Sequence, residues 1–329
     1  MRKLATISEI IAGMCKINYA RNFHAEILDL YENGLPDGYS LGWAGFDPYF
    51  KILKGQLNIL SGIPGSGKSE WMESILLNLA ENYGWDGIIY SPENHPPEIY
   101  FQKLIAKRAR MPFDKNHRDR MSKKEMFEAE TFIDDHFQTI SSDDEVYDLD
   151  KILYTIEQIK RPGTKLDIAV IDPWNELENH RPKGESETDF IGRSLMTIRR
   201  FARKHDMSFW IVCHPTKLKR DTKGQYPEPT MYDLSGSQHW YNKSDNAIIM
   251  HRSAEQKANN EICKAKVMKI KNRHYGKIGE HHFKFDTLTT GYNDHKLEEN
   301  NVRIKGPWKG RSGNPGAHGW SAEAEINKG

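Results

Sequence analysis

The sequence predicts an α/β fold with a mostly parallel central sheet, helices on both faces and an antiparallel edge. Short apolar runs typical of buried strands alternate with helical patterns through the middle of the chain. A glycine-rich turn at residues 62–69 joins the first of these runs to a helix. The final strand-like runs follow one another without helices, which indicates antiparallel pairing. These three observations favour a sheet enclosed between two layers of helices.

The predicted elements follow in order along the chain. Strand-like runs occupy residues 57–61, 87–91, 137–141, 166–172, 208–213, 246–251, 265–271 and 281–286. Helical patterns occupy residues 70–83, 96–110, 123–135, 149–160 and 189–205. Because these helices separate the first five strands, we expect those strands to run parallel.

Composition changes divide the chain into three parts. Residues 1–40 carry a helical apolar pattern that ends at Gly-Leu-Pro-Asp-Gly, so we expect a helical arm or linker there. Residues 41–295 hold all the predicted strands and form the core domain. Residues 296–329 are rich in Gly, Pro, Lys and Ser without periodicity, which predicts a flexible tail.

The overall composition excludes several classes of protein. The 329 residues carry a formal net charge of +1, which excludes a globally basic nucleic-acid coat and leaves only local basic segments for such contacts. Cys15, Cys213 and Cys263 lack zinc-site spacing and are expected to be reduced thiols. This favours the cytoplasm of a bacterial or phage-infected type of cell, with an organelle as an alternative. No apolar run has the length of a membrane span, so we expect no membrane partner.

The glycine-rich turn is a complete phosphate loop. Residues 62–69 read Gly-Ile-Pro-Gly-Ser-Gly-Lys-Ser, which matches G-x-x-x-x-G-K-[ST]. In such a loop the backbone N–H groups face phosphates, Lys68 reaches the β- and γ-phosphate oxygens, and the Ser69 hydroxyl ligates Mg²⁺. The predicted ligand is ATP or another nucleoside triphosphate with Mg²⁺, held by Gly62, Pro64, Gly65, Ser66, Gly67, Lys68 and Ser69. The alternative is a glycine-rich turn that binds nothing.

Two acids stand where a nucleotide site needs them. Asp172 ends the apolar run Ile-Ala-Val-Ile, so it should emerge beside the phosphate loop and hold Mg²⁺ through water. Glu93 follows the second strand and can polarise the water that attacks the γ-phosphate. The alternatives are a carboxylate that caps a turn for Asp172 and an exposed loop acid for Glu93.

The order of these motifs resembles that of the ring-shaped replicative helicases of the Twinkle, DnaB and phage primase-helicase type, which have a RecA-like core. The resemblance covers residues 42–292. It includes Gly-Trp-Ala-Gly-Phe-Asp-Pro at 42–48, Ser-Pro-Glu-Asn at 91–94 and Phe-Trp-Ile-Val-Cys-His-Pro at 209–215. The second motif is similar to the family's catalytic glutamate motif and implies that role for Glu93. The third implies that His214 senses the γ-phosphate.

A basic segment follows His214. Mobile cationic side chains at the end of a core strand suit contacts with the phosphates of single-stranded DNA, although a run of charges is also typical of a solvated face. The resemblance places a DNA-binding loop here. The candidate DNA-binding residues are Lys217, Lys219, Arg220 and Lys223.

Two further motifs come from the same resemblance. Residues 233–245 are similar to the motif that couples DNA contact to the nucleotide, with Gln238 and Asn242 as alternative coupling residues. Residues 269–276 resemble a Lys-x-Arg motif that reaches the γ-phosphate of a neighbouring subunit, which implies an arginine finger at Arg273 with Lys271 beside it. The alternative is a basic strand at a sheet edge.

The resemblance also implies the remaining site and the function. Arg252 and Phe285 are expected to sandwich the nucleotide base. The chain is then an NTP-dependent replicative DNA helicase that translocates on single-stranded DNA and unwinds forked duplexes. The alternative is a nucleotide-gated recombination mediator or loader without unwinding activity. Expected partners are DNA, further copies of the chain in a ring, hexameric by resemblance, and a primase module or other replication proteins.

Overall fold

The computed structural model describes residues 18–141, 147–161, 163–178, 181, 183–216, 218–220, 222, 226–252 and 262–295. The predicted tail, most of the predicted arm, and the candidates Lys217 and Lys223 lie outside these residues. The division into arm, core domain and tail therefore stays a prediction. Within the described ranges, no helix combines the length and apolar character that a membrane span requires.

Several helices begin or end at recognisable signals. They are α1 (His24–Asn33), α2 (Lys68–Tyr83), α3 (Pro97–Ala109), α4 (Lys123–His136), α5 (Leu149–Ile159), α6 (Glu187–Lys204) and α7 (Ser237–Lys243). Ser122 and Glu125 form a capping box at the start of α4, and Asp148 and Ser186 cap α5 and α6. Helix α2 ends at Gly84 in the left-handed conformation, with φ of 61°.

One sheet contains the nine strands of the described residues. They are β1 (Leu57–Ser61), β2 (Gly87–Tyr90), β3 (Phe137–Ile140), β4 (Ile168–Ile171), β5 (Ser208–Cys213), β6 (Asn246–His251), β7 (Ile262–Lys269), β8 (Gly279–Phe285) and β9 (Tyr292–Asp294). Their order is β3-β2-β4-β5-β1-β6-β7-β8-β9. Pairing is parallel from β3 to β6 and antiparallel from β6 to β9. The predicted parallel sheet with an antiparallel edge is confirmed.

Each face of the sheet packs on its own apolar core. Helices α2, α3 and α4 cover one face, where Trp71 and Phe283 are fully buried. Helices α5, α6 and α7 cover the other, where Leu195, Phe209 and Trp240 are buried. Strand β1 is buried at all its positions because both layers meet over it. The phosphate loop therefore starts from a strand that is buried on both faces.

Two elements were absent from the predicted set, and several strand boundaries differ from the predicted ones. Helix α7 has seven residues and β9 has three, so both are too short for a periodic apolar pattern to be recognised. Strand β7 begins and ends earlier than expected, which leaves Lys271 beyond its last residue. Strand β8 begins two residues before the expected start at residue 281.

Strand β9 ties the far end of the domain to the segment before the phosphate loop. The Trp43 indole N–H donates to the Tyr292 carbonyl oxygen at 3.0 Å. The Gly45 N–H donates to Asp294 at 2.6 Å, and that carboxylate also contacts His281 at 3.0 Å. The start and the end of the core domain are thus held together.

Candidate nucleotide site and DNA-facing loop

The phosphate loop connects the end of β1 to the start of α2, as the motif predicts. Two of its glycines are required by their surroundings. A Cβ at Gly62 would collide with the Met250 carbonyl oxygen, and one at Gly67 would collide with the Tyr292 hydroxyl. Gly67 also has φ of 85°, in the left-handed region that favours glycine. The neighbouring strands β6 and β9 therefore help to set the shape of the loop.

Lys68 is folded onto its own loop. Its ammonium donates to the carbonyl oxygens of Gly62 at 2.9 Å and Ile63 at 3.2 Å. Burial lowers the pKa of Lys68 to about 8, although the charges of Asp172 and Glu93 act in the opposite direction. Anionic oxygens accept stronger hydrogen bonds than neutral carbonyls, so a phosphate can compete for this ammonium.

Ser69 and Asp172 lie together, as expected of a Mg²⁺ site. Asp172 follows β4, is 6 % exposed and is hydrogen-bonded to the Ser69 side chain. Burial raises the pKa of Asp172 to about 6, and the Ser69 hydrogen bond and the Lys68 charge oppose that rise. One hydroxyl and one carboxylate are oxygen donors that suit Mg²⁺. The described residues hold no group of three metal-ligating His, Cys, Asp or Glu side chains, so phosphate and water oxygens would complete the shell.

Glu93 stands at the open side of the site. It is exposed in the segment between β2 and α3, and its charge acts on both Lys68 and Asp172. The turn that carries it is fixed because the Asn94 amide donates to the Ser91 hydroxyl at 2.8 Å. The structure therefore brings the three predicted charged residues of the site together. An exposed carboxylate beside them is accessible to water.

His214 lies at the end of β5 and joins the phosphate loop. Its backbone N–H donates to the Asn175 side-chain oxygen at 2.9 Å, and its ring is hydrogen-bonded to the Gly62 carbonyl. Burial and then the nearby Lys68 charge lower the pKa of His214. A cavity of about 200 Å³ lies behind the ring, lined in part by Trp174 and Trp240. His214 is thus placed to respond to changes in the loop.

The two candidate coupling residues lie on α7 and remain alternatives. Gln238 and Asn242 are both exposed, one helical turn apart. Between them, Trp240 is buried and its indole N–H donates to the Ser235 carbonyl oxygen at 2.7 Å. The structure places neither Gln238 nor Asn242 against the phosphate loop. The choice between them stays open.

Lys271 and Arg273 lie at the opposite end of the sheet from the phosphate loop. The Lys271 ammonium contacts Asp245 at 2.7 Å, and Asp245 accepts the backbone N–H of Leu57, the first residue of β1. The length of β1 separates this point from Gly62, roughly 16 Å for the five residue steps from Leu57. Arg273 is exposed. It does not reach the phosphate loop of its own chain.

Arg252 and Phe285 contact each other directly. The guanidinium carbon lies 5.0 Å from the centre of the Phe285 ring, and Arg252 is 7 % exposed. A base would lie between the two side chains only after they separate. The expected sandwich therefore stays a prediction, with a cation–π pair in its place in this structure.

The loop after His214 carries its described basic residues at the surface. Lys219 and Arg220 are exposed. The Arg220 guanidinium lies 4.8 Å from the centre of the Tyr226 ring. The loop is closed at its base by a hydrogen bond from the Thr216 N–H to the Asp233 carbonyl oxygen at 2.9 Å.

Several residues in and around the site were not predicted from the sequence. Asn175 orients His214 and stands three residues after Asp172, so its position was a usable signal. Tyr292 approaches Gly67 from a three-residue strand, and no local pattern could indicate it. A buried ion cluster joins α2 to α3, with Lys107 contacting Glu73 at 2.5 Å. These contacts depend on the tertiary fold.

Comparisons with known proteins identify the family of this chain. Residues 38–294 match the model described as "DnaB-like helicase C terminal domain". The chain is 34 % identical over 283 residues to "Twinkle homolog protein, chloroplastic/mitochondrial" of Arabidopsis thaliana. That match covers 83 % of this chain and 39 % of the relative, so the chain spans about two-fifths of the relative's length.

Solved structures show the same fold. One that is described as an ATPase domain has a TM-score of 0.70 at 14 % identity, covering 85 % of this chain and 99 % of that one. A "DnaB-like replicative helicase", described with its interactions with primase, has a TM-score of 0.67 at 17 % identity, covering 87 % and 70 %. The RadB recombinase has a TM-score of 0.51 at 14 % identity, covering 78 % and 98 %. The predicted RecA-like fold is confirmed.

Proposed function

This chain belongs to the family of DnaB-like helicase C-terminal domains, and we propose that it is the motor of a ring-shaped replicative DNA helicase. In this proposal residues 41–295 hydrolyse ATP or another nucleoside triphosphate at interfaces between copies of the chain. Hydrolysis drives translocation on single-stranded DNA and opens a forked duplex.

The position of Arg273 carries this proposal. Phosphoryl transfer spreads negative charge over the γ-phosphate oxygens, and a guanidinium that contacts them stabilises the transition state. Arg273 is exposed and lies a full strand length away from its own phosphate loop. A finger role is therefore open to it only at the site of a neighbouring copy. Catalysis would then require assembly.

The other site residues have separate proposed roles within one copy of the chain. Lys68 binds the phosphates, and Ser69 and Asp172 hold Mg²⁺, which neutralises phosphate charge when bound. Glu93 accepts a proton from the attacking water. His214 responds to the γ-phosphate through its contact with the Gly62 carbonyl. Gln238 or Asn242, on α7, is the proposed link to DNA.

Helix α1 supports assembly independently of the finger. None of its residues is buried, yet it exposes the apolar side chains of Ile27, Leu28, Leu30 and Tyr31. A helix with such a surface, and with no residue buried against the part of the chain that the structure describes, indicates a contact with another polypeptide. A neighbouring copy in the ring is the occupant that we propose.

Partners and location follow from the same premise. The solved DnaB-like helicase is described with its interactions with primase, which supports a primase module or another replication protein as a partner. The proposed compartment is the cytoplasm or, as the name of the Arabidopsis relative states for that protein, an organelle.

Mixed assemblies test the proposal. A Lys68→Ala copy has a defective phosphate loop but can still supply Arg273 to the site of a neighbouring copy. An Arg273→Ala copy has an intact phosphate loop but supplies no arginine to its neighbour. Rings that contain both variants should hydrolyse ATP above either parent, because some adjacent pairs hold one intact composite site. Arg273→Ala alone should lose about three to five decades of turnover. The lone variant should still bind nucleotide.

Failure to recover activity, with mixed rings demonstrated by microscopy, would contradict a finger that acts between copies. A forked-duplex assay then separates the motor from the alternative mediator or loader. Only a motor displaces the complementary strand processively. Nucleotide-dependent DNA binding without displacement would favour the loader.

A further inference from the structure

We propose that Glu228, through its ion pairs with Lys264 and Lys266, is the positioning residue that links the DNA-facing loop to the nucleotide site. The proposal rests on the proposed function, since it assigns a coupling path within the motor. It concerns the loop between Thr216 and Asp233, strand β7 and the phosphate loop. Glu228, Lys264 and Lys266 are not among the site residues expected from the sequence.

The returning arm of the loop, residues 226–233, has a restricted backbone. Glu228 stands in the sequence Pro-Glu-Pro, residues 227–229, where each proline fixes its own φ and restricts the residue before it. Pro229 is buried, and Thr230 caps the short helical turn Met231–Asp233. When one end of this segment moves, the other end should therefore move with it, because the backbone between them bends little.

Glu228 is attached to β7 by two cations. The Lys264 ammonium lies 2.8 Å from one carboxylate oxygen, and the Lys266 ammonium lies 3.1 Å from the other. Burial raises the pKa of Glu228, but the contacts with both lysines outweigh it and leave the pKa below its usual value. The carboxylate is thus charged at neutral pH, and the attachment is electrostatic as well as geometric.

Strand β7 touches the nucleotide site directly. Lys264 and Lys266 alternate with buried residues on the strand, and one of these is Cys263. The Cys263 thiol donates to the Ser66 carbonyl oxygen of the phosphate loop at 3.2 Å. Burial raises the pKa of Cys263 to about 11, so the thiol keeps the proton that it donates.

The same strand leads toward the proposed finger. Its last residue is Lys269, and Lys271 and Arg273 follow within the next four positions. One rigid element therefore connects the DNA-facing loop, the phosphate loop of its own copy and the residue offered to the neighbouring copy. The Glu228 pairs are the point at which the loop acts on that element.

Strand β8 provides a matched control. Glu280 also contacts Lys264, at 3.3 Å, but it belongs to β8 and not to the loop. Replacing either glutamate with glutamine removes one negative charge beside the same lysine. Only Glu228→Gln detaches the arm of the loop.

The experiment measures ATP hydrolysis by the full chain with and without saturating oligo-dT. We expect Glu228→Gln to keep basal hydrolysis and oligo-dT affinity within about twofold, and to lose DNA stimulation by about fivefold or more, as a coupling contact should. Glu280→Gln should retain stimulation. In Glu228→Lys/Lys266→Glu the charges are exchanged while Lys264 keeps Glu280, so stimulation should partly return relative to Glu228→Lys alone.

Three results would overturn the coupling: full stimulation in Glu228→Gln, a loss of oligo-dT affinity that matches the loss of stimulation, or no recovery on charge exchange in a protein that melts like wild type. A wild-type protein that DNA does not stimulate would instead overturn the proposed function, and the coupling with it. The wild-type control thus distinguishes the two failures.

Discussion

At the scale of single residues, the Gly62 carbonyl is where two functional side chains meet. Both the Lys68 ammonium and the His214 ring are hydrogen-bonded to it. A phosphate that draws the ammonium away changes the partners of this oxygen, and the histidine is the group left to respond. The response needs no large movement, because the contacts already exist before the ligand binds.

The first residue-scale prediction separates binding from turnover. Lys68→Ala should weaken nucleotide binding, since it removes the cation that faces the phosphates. Glu93→Gln should keep binding and lose about two to four decades of turnover, because the amide cannot accept the proton of the attacking water. Titration with a fluorescent nucleotide and a steady-state hydrolysis assay measure the two effects. Glu98→Gln, an exposed acid of α3, is the control; unchanged turnover in Glu93→Gln would rule out the proposed role.

The second residue-scale prediction concerns pH. Burial lowers the pKa of His214 below its unfolded value of 6.5, so between these two values the unfolded chain binds more protons than the folded one. Stability should therefore fall as the pH drops below 6.5. In His214→Gln this contribution disappears, and the free energy of unfolding should depend less on pH, by at most about 1.4 kcal/mol per unit.

Urea unfolding at pH 7.5, 6.5 and 5.5 measures that difference. Lys68 and Glu176, which act on the His214 ring, are present in both proteins, and His205, whose pKa is also lowered, contributes equally to each. Parallel slopes for the two proteins would mean that His214 accepts a proton freely in the folded state.

At the scale of elements, local and long-range features differ in how well the sequence predicts them. Strands β1, β5 and β6 have the predicted bounds because each is a continuous apolar run beside a clear turn. The phosphate loop and Asp172 are predictable because strand, loop and helix are adjacent in sequence. Tyr292 and Glu228 are not, since their partners lie on other strands and no local period marks them.

The element-scale prediction concerns the DNA-facing loop. If Lys219 and Arg220 contact phosphates of single-stranded DNA, replacing both with alanine should weaken affinity equally for different sequences. It should also reduce the salt slope by about 0.7 for each lost contact. Fluorescence anisotropy over a salt series is the measurement. Lys123→Ala/Lys124→Ala removes the same charge from the exposed start of α4 and should change neither quantity.

If the loop variant has the DNA affinity and salt slope of wild type, Lys219 and Arg220 do not contact DNA and are ordinary solvated surface residues. A loss confined to one DNA sequence would contradict a backbone contact. Both outcomes are visible in the same titrations.

At the scale of the whole molecule, α1 is the contact that we propose between one copy of the chain and the next. Leu28→Glu or Tyr31→Glu should weaken assembly by about tenfold or more, because each places a charge where we propose an apolar contact. His24→Glu adds an acid to an exposed position of the same helix and is the control. Sedimentation velocity with Mg²⁺ and a nonhydrolysable nucleotide gives the assembly state. Equal assembly of all three variants would place the ring contact elsewhere.

The contacts of Trp43 and Gly45 with Tyr292 and Asp294 have a consequence for the topology of the whole domain. When the first and last segments of a domain lie side by side, a short linker can join them. New chain termini can then be placed in an exposed loop with little effect on the fold. We expect a circular permutant with these ends joined by a short linker, and with new termini in the largely exposed segment 114–120, to keep the buried contacts described above. The order in which a gene presents the motifs is then separable from the site that they build.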